Sequence, residues 1–282
     1  MKFGINSLAW QSPFSDPAGQ FAKAKKYGCD IYEIAVEDFS TIDVDAVNAA
    51  KKETGIQTPT ICGAFGETRD VSSENPQYRQ TGLQYIKDMT DFAVKIDCKV
   101  IAGPLYSAVG KARQISEDEK KQQWDWAVEN LKIAAEYAQD KGIKLAIEPL
   151  NRFETDFINT VEQGLELIAR IGYSNVGFLL DTFHMNVEEA DIPGAIRSAR
   201  GLIMDLHTCA NNRGTPGQDN FDWKAIAAAI RDAGYDDYCV IESFTPDCKE
   251  IAKAASVWRP FAKSPGAIAE NGLPFLRKVF AE

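Results

Sequence analysis

Short apolar runs alternate with longer amphipathic stretches along the whole chain. Residues 3–8, 31–36, 57–62, 100–102, 144–148, 176–181, 202–207 and 238–242 are rich in β-branched and aliphatic side chains and read as strands. Between them, residues 18–27, 44–54, 78–96, 117–140, 160–171, 192–199 and 222–233 carry apolar positions near a 3.6-residue period and read as helices. Two more helices, around 249–258 and 267–280, finish the chain. The punctuation agrees with the pattern. Pro17 opens the first helix and Gly28 follows its end, while Ser116 stands as an N-cap before Glu117, Asp118 and Glu119. Strands that alternate with helices imply parallel βαβ units. Eight such units, with no Ser/Gly-rich linker, predict one (β/α)8 TIM barrel over residues 1–282, an α/β fold with extra C-terminal helices. A doubly wound open sheet is the competitor. It leads one to expect a glycine fingerprint after the first strand, where Ala9-Trp10-Gln11-Ser12-Pro13 stands instead.

Composition narrows the function. The formal net charge is −10, which argues against nucleic acid or an anionic membrane as a partner. No apolar run approaches the roughly 18 residues that a membrane span needs. The six cysteines show no C-x-x-C spacing, and several lie inside apolar runs, as in Tyr238-Cys239-Val240. Together with an N-terminus that enters a strand at once, this predicts a reduced, cytoplasmic protein with a small, uncharged substrate.

The candidate chemistry sits where strands stop. The fifth strand runs into Glu148-Pro149, and the sixth, seventh and eighth end in Asp181, His207 and Glu242. In a barrel these ends open side by side on the catalytic face. Three carboxylates and an imidazole gathered there repel one another without a cation. Such a mixed oxygen and nitrogen set suits Mn²⁺, Mg²⁺ or Co²⁺. A single acid at a strand end is more often an N-cap or a loop partner; four in consecutive strands point to one metal. The chain has two histidines, His184 and His207, and both fall here. Glu154 lies six residues beyond Glu148, and Arg213 six beyond His207 in a Gly/Pro-containing turn. Cys209 is expected to pack and not to ligate. Trp10, Phe65, Tyr106 and Phe244 each follow a strand end and are candidates for an apolar wall against a sugar, although each also fits an ordinary core.

The motifs Glu148-Pro149-Leu150-Asn151-Arg152-Phe153-Glu154, Asp181-Thr182-Phe183-His184-Met185-Asn186 and Glu242-Ser243-Phe244 resemble those of the ketose 3-epimerases, within the xylose-isomerase-like barrels. The likeness extends through Gly103-Pro104-Leu105-Tyr106 and Trp258-Arg259-Pro260, and so covers most of the chain. It implies one Mn²⁺ or Co²⁺ held by Glu148, Asp181, His207 and Glu242, with no organic cofactor. It further implies that Glu148 and Glu242 act on opposite faces of C3 of a free ketose through a cis-enediolate. Glu154, His184 and Arg213 would bind the O1–O2 end of the sugar. A homodimer or homotetramer is implied as well. The physics is consistent. A developing enolate needs a cation, and inversion at one carbon needs an acid/base on each side, each giving about 10²–10⁴-fold. Asn6-Ser7-Leu8 and Thr208-Cys209-Ala210 depart from the family pattern at the substrate rim.

Other reactions use the same barrel: aldose–ketose isomerisation, inosose dehydration and sugar-phosphate epimerisation. A phosphorylated substrate calls for an extra Lys or Arg at the far end of the pocket, and the sequence places none. A metal-dependent nuclease on this barrel needs more histidine ligands than two. A sugar-binding protein without catalysis has no use for an acid pair on a metal.

Overall fold

A computed structural model describes the backbone of residues 1–282 and every side chain but that of Glu250. Eight parallel strands close into a barrel in sequence order, with β8 hydrogen-bonded back to β1. They are β1 (Lys2–Asn6), β2 (Ile31–Val36), β3 (Thr60–Gly63), β4 (Val100–Gly103), β5 (Lys144–Ile147), β6 (Val176–Asp181), β7 (Ile203–His207) and β8 (Tyr238–Ile241). Around them lie α1 (Pro17–Lys26), α2 (Val44–Thr54), α3 (Pro76–Lys95), α4 (Glu117–Gln139), α5 (Val161–Ile171), α6 (Thr182–Glu188), α7 (Ile192–Ser198), α8 (Trp223–Asp232), α9 (Lys249–Ala254) and α10 (Pro265–Ala281). Among the described residues, no helix is long and apolar enough to cross a membrane.

Alternation along the strands decides what faces where. Ile5, Tyr32, Ile34, Ile61, Ile147, Phe178, Leu180 and Leu206 point outward into one large core shared with the helices. The inward positions hold a smaller apolar plug of Val100, Ala102, Ala146 and Leu179, joined by Met204, where the β6–β7 register shifts and the alternation is broken. Each plug residue on β5 and β6 lies two positions before an acid: Ala146 precedes Glu148, and Leu179 precedes Asp181. The same period carries Val240 to Glu242 and Asp205 to His207. An acid that follows an inward-facing apolar residue by two therefore emerges at the top of the barrel, pointing inward.

Besides shifts of one to four residues at several ends, the structure departs from the sequence-based expectation at three places. The third strand begins at Thr60 and not at residue 57, because Pro59 brings no N–H and Gln57 makes only an isolated bridge to Ile31. The first strand ends at Asn6, whose side chain accepts the N–H of Leu8 and turns Ser7–Ala9 into a short 3-10 segment. An additional helix, α6, follows β6 directly; Asp181 caps it by accepting from the N–H of Phe183. Ser116 is the N-cap expected from sequence and forms a capping box with Glu119; Thr160, expected inside its helix, instead caps it, in a box with Gln163.

Candidate metal centre and substrate cavity

Asp181 and His207 are register partners on β6 and β7, and His207 pairs in turn with Val240 on β8. Glu148 follows the last residue of β5, and Glu242 follows the last residue of β8. The fold thereby brings Glu148, Asp181, His207 and Glu242 together, all buried, each offering a ligand atom within 4.8 Å of the others. His207 Nδ1 lies 3.7 Å from Glu242 Oε2 and 3.9 Å from Asp181 Oδ2. Neither His207 Nδ1 nor Glu148 Oε1 has a hydrogen-bond partner, although both are buried. Orphaned acceptors in a nest of carboxylates are what a bound cation resolves, and three oxygens with one imidazole nitrogen suit Mn²⁺, Co²⁺ or Mg²⁺. The residues present therefore fit a divalent ion.

The two glutamates differ electrostatically. Burial, and after it the charge of Glu242, pushes the Glu148 carboxyl well above its ordinary range. Burial also raises Glu242, but Arg213 and then His207 outweigh it and bring it down to about 2. Arg213 Nη1 donates to Glu242 Oε2 at 2.7 Å and to Asp181 Oδ2. Its guanidinium is wedged between the rings of Phe183 and Phe244, 4.2 and 5.2 Å from their centroids. Its backbone has a φ of +64°, and its carbonyl is held by the hydroxyl of Ser243. The turn that carries Arg213 is thus locked against β8.

His184 stands at the junction of metal site and cavity. Its Nδ1 accepts the main-chain N–H of Asn151 at 3.0 Å. A neutral ring then carries its proton on Nε2, which lies 2.8 Å from Arg213 Nη2, another donor. An acceptor oxygen beside the pair, within hydrogen-bond reach of each, would satisfy both. Glu154, anchored by the Asn151 amide at 2.7 Å, lines the same cavity. Cys209 donates its thiol toward Asp181 Oδ1 at 3.5 Å, and burial drives its pKa well up, so it packs as a neutral thiol.

The cavity measures about 450 Å³, inside the ~300–1,000 Å³ usual for small-ligand sites. Glu148, Glu154, His184, Arg213 and Glu242 form its floor and one side. Phe65, Phe244, Leu8 and Ile251 form an apolar side. Two of the four candidate wall aromatics lie elsewhere. Trp10 stacks on Tyr32 at 5.6 Å, on the outward side of β2, and donates its indole N–H to Pro265. Tyr106 is fully buried against Phe157 and donates to the carbonyl of Glu148. A position just after a strand end does not settle on which side of the barrel wall a ring falls.

Sequence reasoning assigned no role to several residues now at the site. Glu33, in the middle of β2, accepts from or faces His207 Nε2 at 2.8 Å, and Asp205 lies against it. An acid at an inward position of an otherwise apolar strand was the available signal. Arg69 lines the cavity from the loop that follows β3. Its Nη1 donates to the carbonyls of Glu37 and Ala64, and its guanidinium lies 4.2 Å over the Tyr85 ring.

Comparison with known proteins agrees with this geometry. The model of the xylose isomerase-like TIM barrel family matches residues 21–279. The chain belongs to that family and, within it, to the ketose 3-epimerases, which are isomerases. It is 33% identical over 281 residues to a protein of Synechocystis sp. named probable ketose 3-epimerase, covering 99% of this chain and 97% of that one. It is 33% identical over 265 residues to the D-psicose 3-epimerase of Ruminiclostridium cellulolyticum, covering 92% and 89% of the two chains. A solved L-ribulose 3-epimerase superimposes with a TM-score of 0.93 at 28% identity, covering 99% of this chain and 94% of that one.

Proposed function

We propose that this protein inverts C3 of a free ketose, of the D-psicose/D-fructose, D-tagatose/D-sorbose or L-ribulose type, with one Mn²⁺ or Co²⁺ per subunit. The observation that carries the reading is the buried set Glu148, Asp181, His207 and Glu242 with two orphaned acceptors, opening on a cavity lined by Glu154, His184 and Arg213. The divalent ion, held by those four residues, supplies Lewis-acid stabilisation of the charge that develops on the sugar oxygens. The chain's own groups do the rest. Glu148 and Glu242 form the acid/base pair: one takes the C3 proton and the other returns one to the opposite face, and in the reverse direction the roles exchange. Arg213 and the Nε2–H of His184 converge on one point and hold a sugar oxygen there, while Glu154 accepts from a hydroxyl. Phe65, Phe244 and Leu8 pack on C–H faces and keep water from the enediolate. A homodimer or homotetramer completes the proposal; sedimentation reads it directly.

The decisive experiment incubates chelator-stripped protein, with and without Mn²⁺, with free ketohexoses and ketopentoses in D₂O. Deuterium at C3 together with the C3 epimer, only when metal is restored, is the expected result. An aldose product, or no exchange with any ketose, overturns the reading. Arg69 favours a second reading, in which a phosphorylated ketose reaches the far end of the cavity. A kcat/KM higher for the phosphate ester than for the free sugar decides for it.

A further inference from the structure

His207 meets carboxylates through both ring nitrogens. Nδ1 faces Asp181 and Glu242, while Nε2 lies 2.8 Å from Glu33 Oε1. Glu33 is fully buried in the middle of β2, on the far side of the barrel from β7, and does not line the cavity. Its carboxylate is held by a full set of donors. Oε1 also accepts from Asn6 Nδ2 at 2.6 Å, and Oε2 accepts from Thr60 Oγ1 at 2.8 Å. The Asn6 amide cannot turn, because its oxygen takes the N–H of Leu8. Asp205, whose Oδ2 is buried without a hydrogen-bond partner, lies against Glu33, so strands β1, β2, β3 and β7 all contribute to one internal polar cluster.

A neutral imidazole carries a single N–H, and the nitrogen facing the better acceptor keeps it. We infer that Glu33 is a positioning residue for the metal centre: by holding the N–H of His207 Nε2, it leaves the Nδ1 lone pair facing Glu148, Asp181 and Glu242 and stops the ring from rotating. Thr60 and Asn6 act one step further out, by fixing the Glu33 carboxylate. Glu33, Asp205 and His207 also offer three ligand atoms within 4.8 Å of one another. That group is a poorer cation site. Asn6, Thr60 and His207 already occupy the Glu33 oxygens, and neither Glu33 nor Asp205 reaches the cavity from which an ion would enter.

The inference rests on the metal-centred reading above, and calorimetric titration of stripped protein with Mn²⁺ separates the two. Glu33→Gln keeps the volume and one acceptor, and Thr60→Val removes one donor to Glu33 without touching His207. A carboxylate behind a ligand histidine is worth about 10–100-fold in metal affinity. Glu33→Gln is expected to bind Mn²⁺ at least about 10-fold more weakly and Thr60→Val a few-fold more weakly, with turnover of Glu33→Gln restored by raising Mn²⁺. A merely structural role lowers the unfolding temperature and leaves the Mn²⁺ Kd at the wild-type value; that outcome overturns the inference alone. Wild-type protein that binds no Mn²⁺ overturns the metal reading and this inference with it. Because the chain has two histidines, ¹⁵N-histidine labelling offers a variant-free check. The Mg²⁺-loaded protein should show His207 with its proton on Nε2, and a proton on Nδ1 refutes the assignment.

Discussion

Strands β5 to β8 lead into Glu148, Asp181, His207 and Glu242, whereas the side of β1 to β4 presents Leu8, Ala35, Gly63 and Pro104 to the cavity. One half of the rim concentrates charge, and the other leaves space and apolar surface. On the first half, buried acceptors lack partners and neighbouring carboxyls shift in opposite directions. On the second, Asn6 and Thr60 donate to Glu33 and hold its carboxylate. Gly63 sits where a Cβ would lie 2.6 Å from the Phe65 ring. The difference separates two tasks. Groups that exchange protons and hold a cation need unsatisfied valence and tuned charge. Groups that receive the rest of a sugar need shape.

The comparison breaks first at its charged side. Glu148→Gln and Glu242→Gln should each reduce C3 epimerisation by at least about 10²–10⁴-fold, read as kcat and as deuterium exchange at C3; near-normal turnover in either refutes a two-sided proton transfer. Arg213→Lys keeps the charge but loses the planar contact between Phe183 and Phe244 and one of the directions toward Asp181, Glu242 and His184. Charge-assisted hydrogen bonds contribute about 1.5–3 kcal/mol, so kcat/KM should fall roughly 10–100-fold. On the spacious side the effects are smaller and of another kind. Gly63→Ala forces a Cβ against Phe65 and to 3.0 Å from the Met89 sulfur, so it should destabilise by about 1–3 kcal/mol and raise KM with kcat little changed. An equal loss of kcat would show that this half also serves the chemistry. Least of all, Arg152→Ala breaks an ion pair with Glu188 in which the arginine is 61% exposed. It should cost less than about 1 kcal/mol in thermal unfolding and leave turnover intact, although Arg152 stands in the same segment as Glu148.

Much of the charged half was legible in the chain, and the reason is periodicity. Glu148, Asp181 and Glu242 each close an apolar strand, and a period of two puts each on the face of the residue two before it. Proline after Glu148 and the capping role of Asp181 mark where those strands stop. The spacious half was read less well. Trp10 and Tyr106 follow strand ends as Phe65 and Phe244 do, yet they turn into the helix–barrel core, where Tyr32 and Phe157 receive them. Helix α6 has no counterpart among the elements expected from sequence, because Asp181 to Asn186 mixes polar and apolar residues without a clear period. Nothing near Glu33 in the chain marks its role, because its partner is 174 positions away.

By itself the sequence determined the eight strand–helix units, their caps and the direction in which each strand-end side chain points, since local propensity and alternation depend on near neighbours. What lies opposite each side chain was decided only by closure of the barrel. Pairing β8 with β1 brings Glu33 across the interior to His207, and the turn after β7 carries Arg213 back between Phe183 and Phe244. Periodicity encodes a face; it holds no information about what the far wall of a closed sheet presents to that face.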